Sequence, residues 1–115
     1  MFPGLENVRV FVRPGPTDMR KSIGGLSAIA QEAMAGDPFS GALFAFSNRR
    51  RNILKILYWD RNGFCLWMKR LEKGRFPWPA VAEDAVSINT EQFNWLLRGI
   101  DFWSEHVPLE YFRVV

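Results

Sequence analysis

Residues 53–71 read ILKILYWDRNGFCLWMKRL. Two apolar runs, Ile53 to Trp59 and Phe64 to Leu71, flank a turn with the sequence DRNG at residues 60–63. The Asn-Gly pair favours a tight hairpin because both residues tolerate positive φ. A third apolar run, Ala42 to Ser47, precedes them across the short loop 48–52. This stretch therefore predicts a three-stranded antiparallel meander as the centre of the fold.

Side chains of the meander alternate between two faces, as they do in any strand. One face is predicted to carry Ile53, Lys55, Leu57, Trp59, Phe64, Leu66, Met68 and Arg70, and the other Leu54, Ile56, Tyr58, Cys65, Trp67, Lys69 and Leu71. Both faces are largely apolar, so each must be covered. We expect the first helix to cover one face. Either the C-terminal segment or a second copy of the chain, in a homodimer, covers the other.

A strand and a helix precede the meander. Val8 to Arg13 alternates with period two, which predicts a strand that ends at the PGP of residues 14–16. Thr17 occupies the predicted N-cap of the first helix, and Gly36 follows its end. The apolar stripe of this helix consists of Met19, Ile23, Leu26, Ala30 and Ala33.

A short strand and a second helix follow the meander. Ala85 to Ile88 predicts the strand, Thr90 is the predicted N-cap of the helix, and Gly99 lies near its end. Tyr111 to Val115 is a further candidate edge strand. Together these elements predict one α+β domain over residues 1–115. Its mainly antiparallel sheet has the element order strand, helix, three-stranded meander, short strand and helix.

Charge is concentrated in one part of the chain. The 115 residues carry a net charge of +3, yet residues 49–75 alone hold nine basic and two acidic residues. The remainder holds six bases and ten acids and is therefore acidic. A basic block of this kind is typical either of a nucleic-acid-binding surface or of a solvated face.

The meander brings most of these bases to one end of the sheet. The last predicted strand runs back toward the loop 48–52, so basic residues from both segments converge there, where guanidinium forks suit phosphate. Phe76 and Trp78 lie beside them and either stack on unpaired bases or pack beneath the loop. The predicted nucleic-acid-binding residues are Arg49, Arg50, Arg51, Lys69, Arg70, Lys73, Arg75 and Trp78.

Catalytic and metal-binding patterns are not recognisable in the sequence. His106 is the only histidine and Cys65 the only cysteine, which is too few for a zinc site or a disulfide. Asp60 and Glu72 flank one strand at about 30 Å, too far apart to share a metal ion. We therefore expect no enzyme activity and no cofactor. The N-terminus is unlike a signal peptide and no apolar run is long enough for a membrane span, so we expect a cytoplasmic protein without a membrane partner.

Five segments carry a family signal. They read TDMRK at residues 17–21, DPFSGALF at 37–44, WD at 59–60, KRLEKGRF at 69–76 and WP at 78–79. Together they resemble TnpB, the accessory protein family encoded by the second open reading frame of insertion-sequence-66 elements. The resemblance extends over residues 17–101. It implies a non-catalytic assistant of transposition, with a separate, larger transposase that performs the chemistry.

The resemblance also implies a characteristic surface, and the charge and aromatic patterns of the sequence lead to two hypotheses about its partner. The motif residues on that surface are Arg20, Lys21, Arg50, Asp60, Lys69, Arg70, Arg75 and Trp78. The leading hypothesis is an accessory factor that contacts DNA through the basic residues. The alternative is a protein–protein adaptor that docks the element's transposase through an aromatic surface, without direct contact to DNA.

Overall fold

A single mixed sheet organises the part of the chain that the computed structural model describes, residues 8–80 and 85–103. The elements are β1 (Val10–Val12), α1 (Ile23–Glu32), β2 (Leu43–Ser47), β3 (Ile53–Asp60), β4 (Gly63–Arg70), β5 (Val86–Ile88) and α2 (Thr90–Leu97). The strands lie in the order β4-β3-β2-β1-β5. The predicted α+β class, meander and element order are confirmed. The predicted edge strand at Tyr111 to Val115 lies outside the described residues.

One neighbouring pair of strands is parallel. β1 and β2 run in the same direction with Phe11 beside Phe44, whereas β1–β5, β2–β3 and β3–β4 are antiparallel. The helix α1 connects β1 to β2, and a crossover of this kind is what allows parallel pairing, since a tight turn forces the antiparallel direction. As a consequence, β1 and β2 end at the same edge of the sheet, where β3 begins and β4 ends.

The strand register confirms the two predicted faces of the meander. Ile56 lies beside Trp67 and Leu57 beside Leu66. On the face covered by α1, the buried core residues are Leu26, Ala30, Met34, Ala42, Phe44, Phe46 and Leu57. On the face covered by α2, they are Val10, Val12, Leu43, Ala45, Leu54, Ile56, Phe76, Trp78, Ile88, Phe93, Leu96, Leu97 and Phe102. Of the two expected covers for this second face, the structure shows the C-terminal segment of the same chain.

The first helix begins later than predicted. Its N-cap is Ser22, whose side chain makes no capping hydrogen bond. Thr17, the predicted N-cap, is instead buried, and its backbone N–H donates to the Ser47 carbonyl at 2.7 Å. Residues 17–21 are therefore held against the end of β2 and cannot form the first helical turn there.

The second helix begins one residue earlier than predicted. Its N-cap is Asn89, whose side chain accepts a hydrogen bond from the Gln92 backbone N–H at 2.7 Å. The Gln92 side chain in turn accepts from the Asn89 backbone N–H at 3.0 Å. This reciprocal capping box gives partners to two backbone N–H groups at the start of the helix. The N-cap is therefore Asn89 and not Thr90.

Candidate nucleic-acid interface

Three loops meet at the edge where β1, β2 and β4 end. The Leu71 backbone N–H donates to the Asn52 carbonyl at 2.8 Å, and the Phe76 N–H donates to the Arg51 carbonyl at 2.7 Å. The Gly15 N–H donates to the Pro79 carbonyl at 2.9 Å. These backbone hydrogen bonds tie the loop after β1 and the loop 48–52 to the segment that follows β4. The predicted convergence of the two basic segments thus has a fixed backbone geometry.

Asn48 shapes the loop that carries three consecutive arginines. Its Oδ1 accepts hydrogen bonds from the backbone N–H groups of Asn52 at 3.0 Å and Ile53 at 3.1 Å. Its Nδ2 donates to Asn52 Oδ1 at 2.7 Å. Arg51 turns the chain with a φ of 62°, in the left-handed region. The loop is therefore a tight structure that leaves Arg49 and Arg50 exposed to solvent.

Six basic side chains occupy this end of the sheet, and we call them the basic surface. They are Arg49, Arg50, Arg51, Arg70, Lys73 and Arg75. The only acidic residue in the segments 48–52 and 70–75 is Glu72, which pairs with Arg70 through Nε and Oε2 at 3.2 Å. Within the described ranges, no acidic side chain forms an ion pair with any of the other five. The surface therefore holds an excess of positive charge that an anion would relieve.

Two neighbouring clefts open within the basic surface. The larger has a volume of about 410 Å³ and is lined by Arg49, Arg50, Asn52, Leu71, Glu72, Gly74 and Arg75. The smaller has a volume of about 130 Å³, and Arg49 and Arg51 line it together with Gly15, Pro16, Asn48, Trp78 and Ala80. Arg49 lines both clefts. Planar guanidinium groups around such clefts can bind phosphate oxygens bidentately.

Lys69 lies apart from the basic surface, although the sequence places it beside Arg70. Alternation along β4 directs it to the face covered by α2, where its Nζ donates to the Leu97 carbonyl at 2.9 Å. The last carbonyls of a helix lack partners within the helix and carry partial negative charge. Lys69 therefore satisfies the C-terminal end of α2, and we leave it out of the proposed DNA contacts.

Trp78 lies beneath the loops and not on their surface. It is 5% exposed, and its indole Nε1 donates to the carbonyls of Arg13 at 2.9 Å and Gly15 at 3.1 Å. Phe76 is 1% exposed in the same core. Of the two roles considered for these rings, the structure shows packing beneath the loop. Because only 5% of Trp78 is exposed, it is not among the proposed contact residues.

Three polar residues of the site are absent from the nucleic-acid-binding residues that the sequence predicted. Asn48 and Asn52 fold the arginine loop, and Glu72 lines the larger cleft. The spacing of two asparagines on either side of three arginines is a turn signal, because Asn side chains often bond to nearby backbone groups. No comparable signal marks Glu72, which becomes part of the site only through the return of the chain after β4.

The family motif at residues 17–21 lies on the α1 side of the sheet. The Asp18 carboxylate accepts two hydrogen bonds from the Arg20 guanidinium Nε and one from its Nη2, at 2.8–3.1 Å. The hydrogen bonds from Arg20 lower the pKa of Asp18 from 3.8 to about 2. Lys55 fixes the same segment, since its Nζ donates to the Met19 and Lys21 carbonyls. Arg20 thus already has an acidic partner, unlike Arg49 and Arg50.

The opposite end of β3 and β4 carries a cluster of three aromatic rings. Phe39 is 59% exposed and contacts Trp59 and Phe64, with ring centroids 5.1 and 5.3 Å away. Trp59 and Phe64 meet edge to face at 5.0 Å. The cluster flanks the hairpin turn at residues 60–63, so the basic surface and this aromatic surface lie at opposite ends of the sheet.

The described residues offer no evident centre for metal-dependent chemistry. Asp60 ends β3 at the hairpin, whereas Glu72 follows the far end of β4. In residues 8–80 and 85–103, no three His, Cys, Asp or Glu side chains come close enough to hold a metal ion. Across the same ranges, neither helix has the length and apolar character to cross a membrane. His106 lies outside the described part of the chain.

Comparison with known proteins places the chain in a family. The family described as "IS66 Orf2 like protein" matches residues 8–107. Two proteins of Sinorhizobium fredii, uncharacterized proteins y4hO and y4jC, are 41% and 36% identical to the chain over 102 residues. The alignments cover 89% of this chain and 89% and 87% of the two relatives. No solved structure matches. The motifs, the match over nearly the whole chain and the two relatives agree: the chain belongs to the IS66 Orf2-like family of transposition-associated accessory proteins.

Proposed function

We propose that this protein is a non-catalytic accessory factor of DNA transposition that binds the DNA backbone through its basic surface. Family membership supports the association with transposition. The observation that carries the DNA contact is the convergence of six bases with one acid on a hydrogen-bonded set of loops. Such a concentration of arginines stabilises bound phosphate by charge and by bidentate hydrogen bonds.

The basic surface is built to bind phosphates and not to read base pairs in the major groove. Neither α1, with the sequence IGGLSAIAQE, nor α2, with the sequence TEQFNWLL, contains a lysine or arginine. A helix that enters the major groove normally presents such side chains to phosphates and base edges. The bases lie on loops instead, so we expect binding to duplex DNA to be weakly dependent on sequence and strongly dependent on salt.

Two double variants with equal charge loss test this proposal. Arg49→Ala/Arg50→Ala removes two charges from the basic surface. The control, Arg9→Ala/Arg61→Ala, removes two exposed charges from the other end of the sheet, since Arg9 precedes β1 and Arg61 lies in the hairpin turn. Binding to a duplex of the element's end is measured by fluorescence anisotropy between 50 and 300 mM salt, a range of about sixfold.

We expect the basic-surface variant to bind all duplexes more weakly. The slope of log K against log salt should flatten by about 1.8, which corresponds to two lost phosphate contacts. The control should keep the wild-type slope. The proposal is refuted if the wild-type protein shows no salt-dependent binding, or if both double variants lose affinity equally.

A second candidate function is an adaptor that docks the element's transposase. The aromatic surface of Phe39, Trp59 and Phe64 favours it, because Phe39 is a large apolar side chain with 59% exposure. Rings of this kind are common anchors of protein interfaces. A pull-down with purified transposase distinguishes the two functions. Loss of the complex with Phe39→Ala, but not with Arg49→Ala/Arg50→Ala, supports the adaptor.

A further inference from the structure

An acidic residue lines the larger cleft of the basic surface. Glu72 lines it together with Arg49, Arg50 and Arg75. A cleft that binds phosphate alone is weakened by a carboxylate, because negative charges at short range repel each other. The position of Glu72 therefore favours a ligand that carries hydrogen-bond donors as well as phosphate.

The ion pair with Arg70 is too weak to explain why an acidic residue occupies this cleft. The two side chains are 63% and 78% exposed, and solvent screens such pairs strongly. Only Oε2 takes part in the pair, through Arg70 Nε at 3.2 Å. One oxygen of the Glu72 carboxylate, Oε1, therefore has no hydrogen-bond donor among the described residues.

The cleft is also large enough for one nucleotide. Its volume of about 410 Å³ lies within the range typical of small-molecule sites. Leu71 contributes a half-buried apolar side chain to the lining. Gly74, with a φ of 82°, leaves open space, since no heavy atom lies within 4 Å of where a Cβ would be. The cleft thus has room for one base beside the arginines.

We infer that this cleft binds one unpaired nucleotide of a DNA strand and prefers guanine to thymine. Arg49, Arg50 and Arg75 hold the flanking phosphates, and the Glu72 carboxylate accepts hydrogen bonds from the edge of the base. An ionised carboxylate accepts hydrogen bonds and donates none. Guanine presents two adjacent N–H donors, N1 and N2, on its Watson–Crick edge. Thymine presents one N–H between two carbonyl oxygens, which repel the carboxylate. This inference rests on the proposed binding of DNA.

Three single-stranded 12-mers test the inference. One alternates guanosine and thymidine, the second replaces each guanosine by inosine and so lacks only the 2-amino group, and the third contains thymidine alone. Their affinities for the wild-type protein, Glu72→Ala and Arg70→Ala are measured by fluorescence anisotropy at one fixed salt concentration. Glu72 and Arg70 are exposed, so neither replacement disturbs the core.

We expect wild-type protein to bind the guanosine strand about three- to tenfold more tightly than the inosine strand. Glu72→Ala should abolish this difference and tighten binding of the thymidine strand, since the repulsive carboxylate is gone. Arg70→Ala should weaken binding of all three strands alike, because one base of the basic surface is lost, but should keep the preference, because the acceptor remains.

Two results would overturn the inference, and they differ in what they say about the proposed function. If the wild-type protein shows no preference and Glu72→Ala strengthens all three strands equally, Glu72 only balances the charge of the arginines, and the proposed DNA contact stands. If no strand and no duplex binds in a way that Arg49→Ala/Arg50→Ala weakens, the inference and the proposed function both fail.

Discussion

Replacing Trp78 by phenylalanine separates a packing role from a DNA-stacking role for the tryptophan beneath the basic surface. In the structure, the indole is buried and its Nε1 joins the carbonyls of Arg13 and Gly15 to the segment after β4. Phenylalanine keeps an aromatic ring but has no N–H donor. We therefore expect Trp78→Phe to lower stability and to leave the DNA affinity of the folded protein almost unchanged.

The size of the stability loss follows from these contacts. Leaving two partly buried carbonyls without their shared donor costs about 1–3 kcal/mol. The smaller ring leaves unfilled space in a core where Trp78 is 5% exposed, which adds about 1 kcal/mol. For a chain of 115 residues, each kcal/mol lowers the melting temperature by roughly 4 °C. We therefore expect a melting temperature about 8–16 °C below that of the wild type.

Thermal unfolding followed by circular dichroism gives the stability change, and anisotropy titrations at 10 °C give the DNA affinity of the folded state. Single-stranded and duplex DNA are both needed, because stacking on unpaired bases would affect only the single strand. A loss of about 1–3 kcal/mol in single-strand affinity, with an unchanged melting temperature, would refute the packing role. The same result would restore Trp78 to the nucleic-acid-binding residues.

Two further predictions concern the α1 side of the sheet. Gly36→Ala should destabilise the protein by about 1–3 kcal/mol, because the new Cβ would lie 2.6 Å from Cε1 of Phe44, which is 1% exposed. Chemical denaturation measures this loss, and an unchanged unfolding midpoint would contradict the close approach. An NMR titration should give the Asp18 carboxyl a pKa of about 2. Its favourable contact with Arg20 is then present above pH 4 and lost as the pH falls through 2. Arg20→Ala should return the pKa of Asp18 toward 3.8.

The centre of the fold could be predicted because its signals are local. Alternation along residues 53–59 and 64–71 and the Asn62-Gly63 turn depend on neighbouring residues alone, and the observed pairing of Ile56 with Trp67 agrees with them. The approach of the arginine loop to the segment after β4 follows from the same hairpin, since β3 begins where β4 ends. The N-cap of α1 was less predictable. Thr17 is a good N-cap by residue type, but in the tertiary structure its backbone N–H donates to the Ser47 carbonyl.

The sequence by itself thus determined the α+β class, the two faces of the meander and the end of the sheet at which most of the bases gather. Only the tertiary structure decided which of those residues remain on the surface. Lys69 reaches a carbonyl 28 residues away on α2, and Trp78 donates to a carbonyl 65 residues away after β1. Alternation and turn propensity act over a few residues, whereas burial and hydrogen-bond partners depend on which distant segments pack together. For this reason the positions of Lys69, Trp78 and Glu72 could be assigned only from the tertiary structure, which shows how α2 and the loop after β4 pack against the sheet.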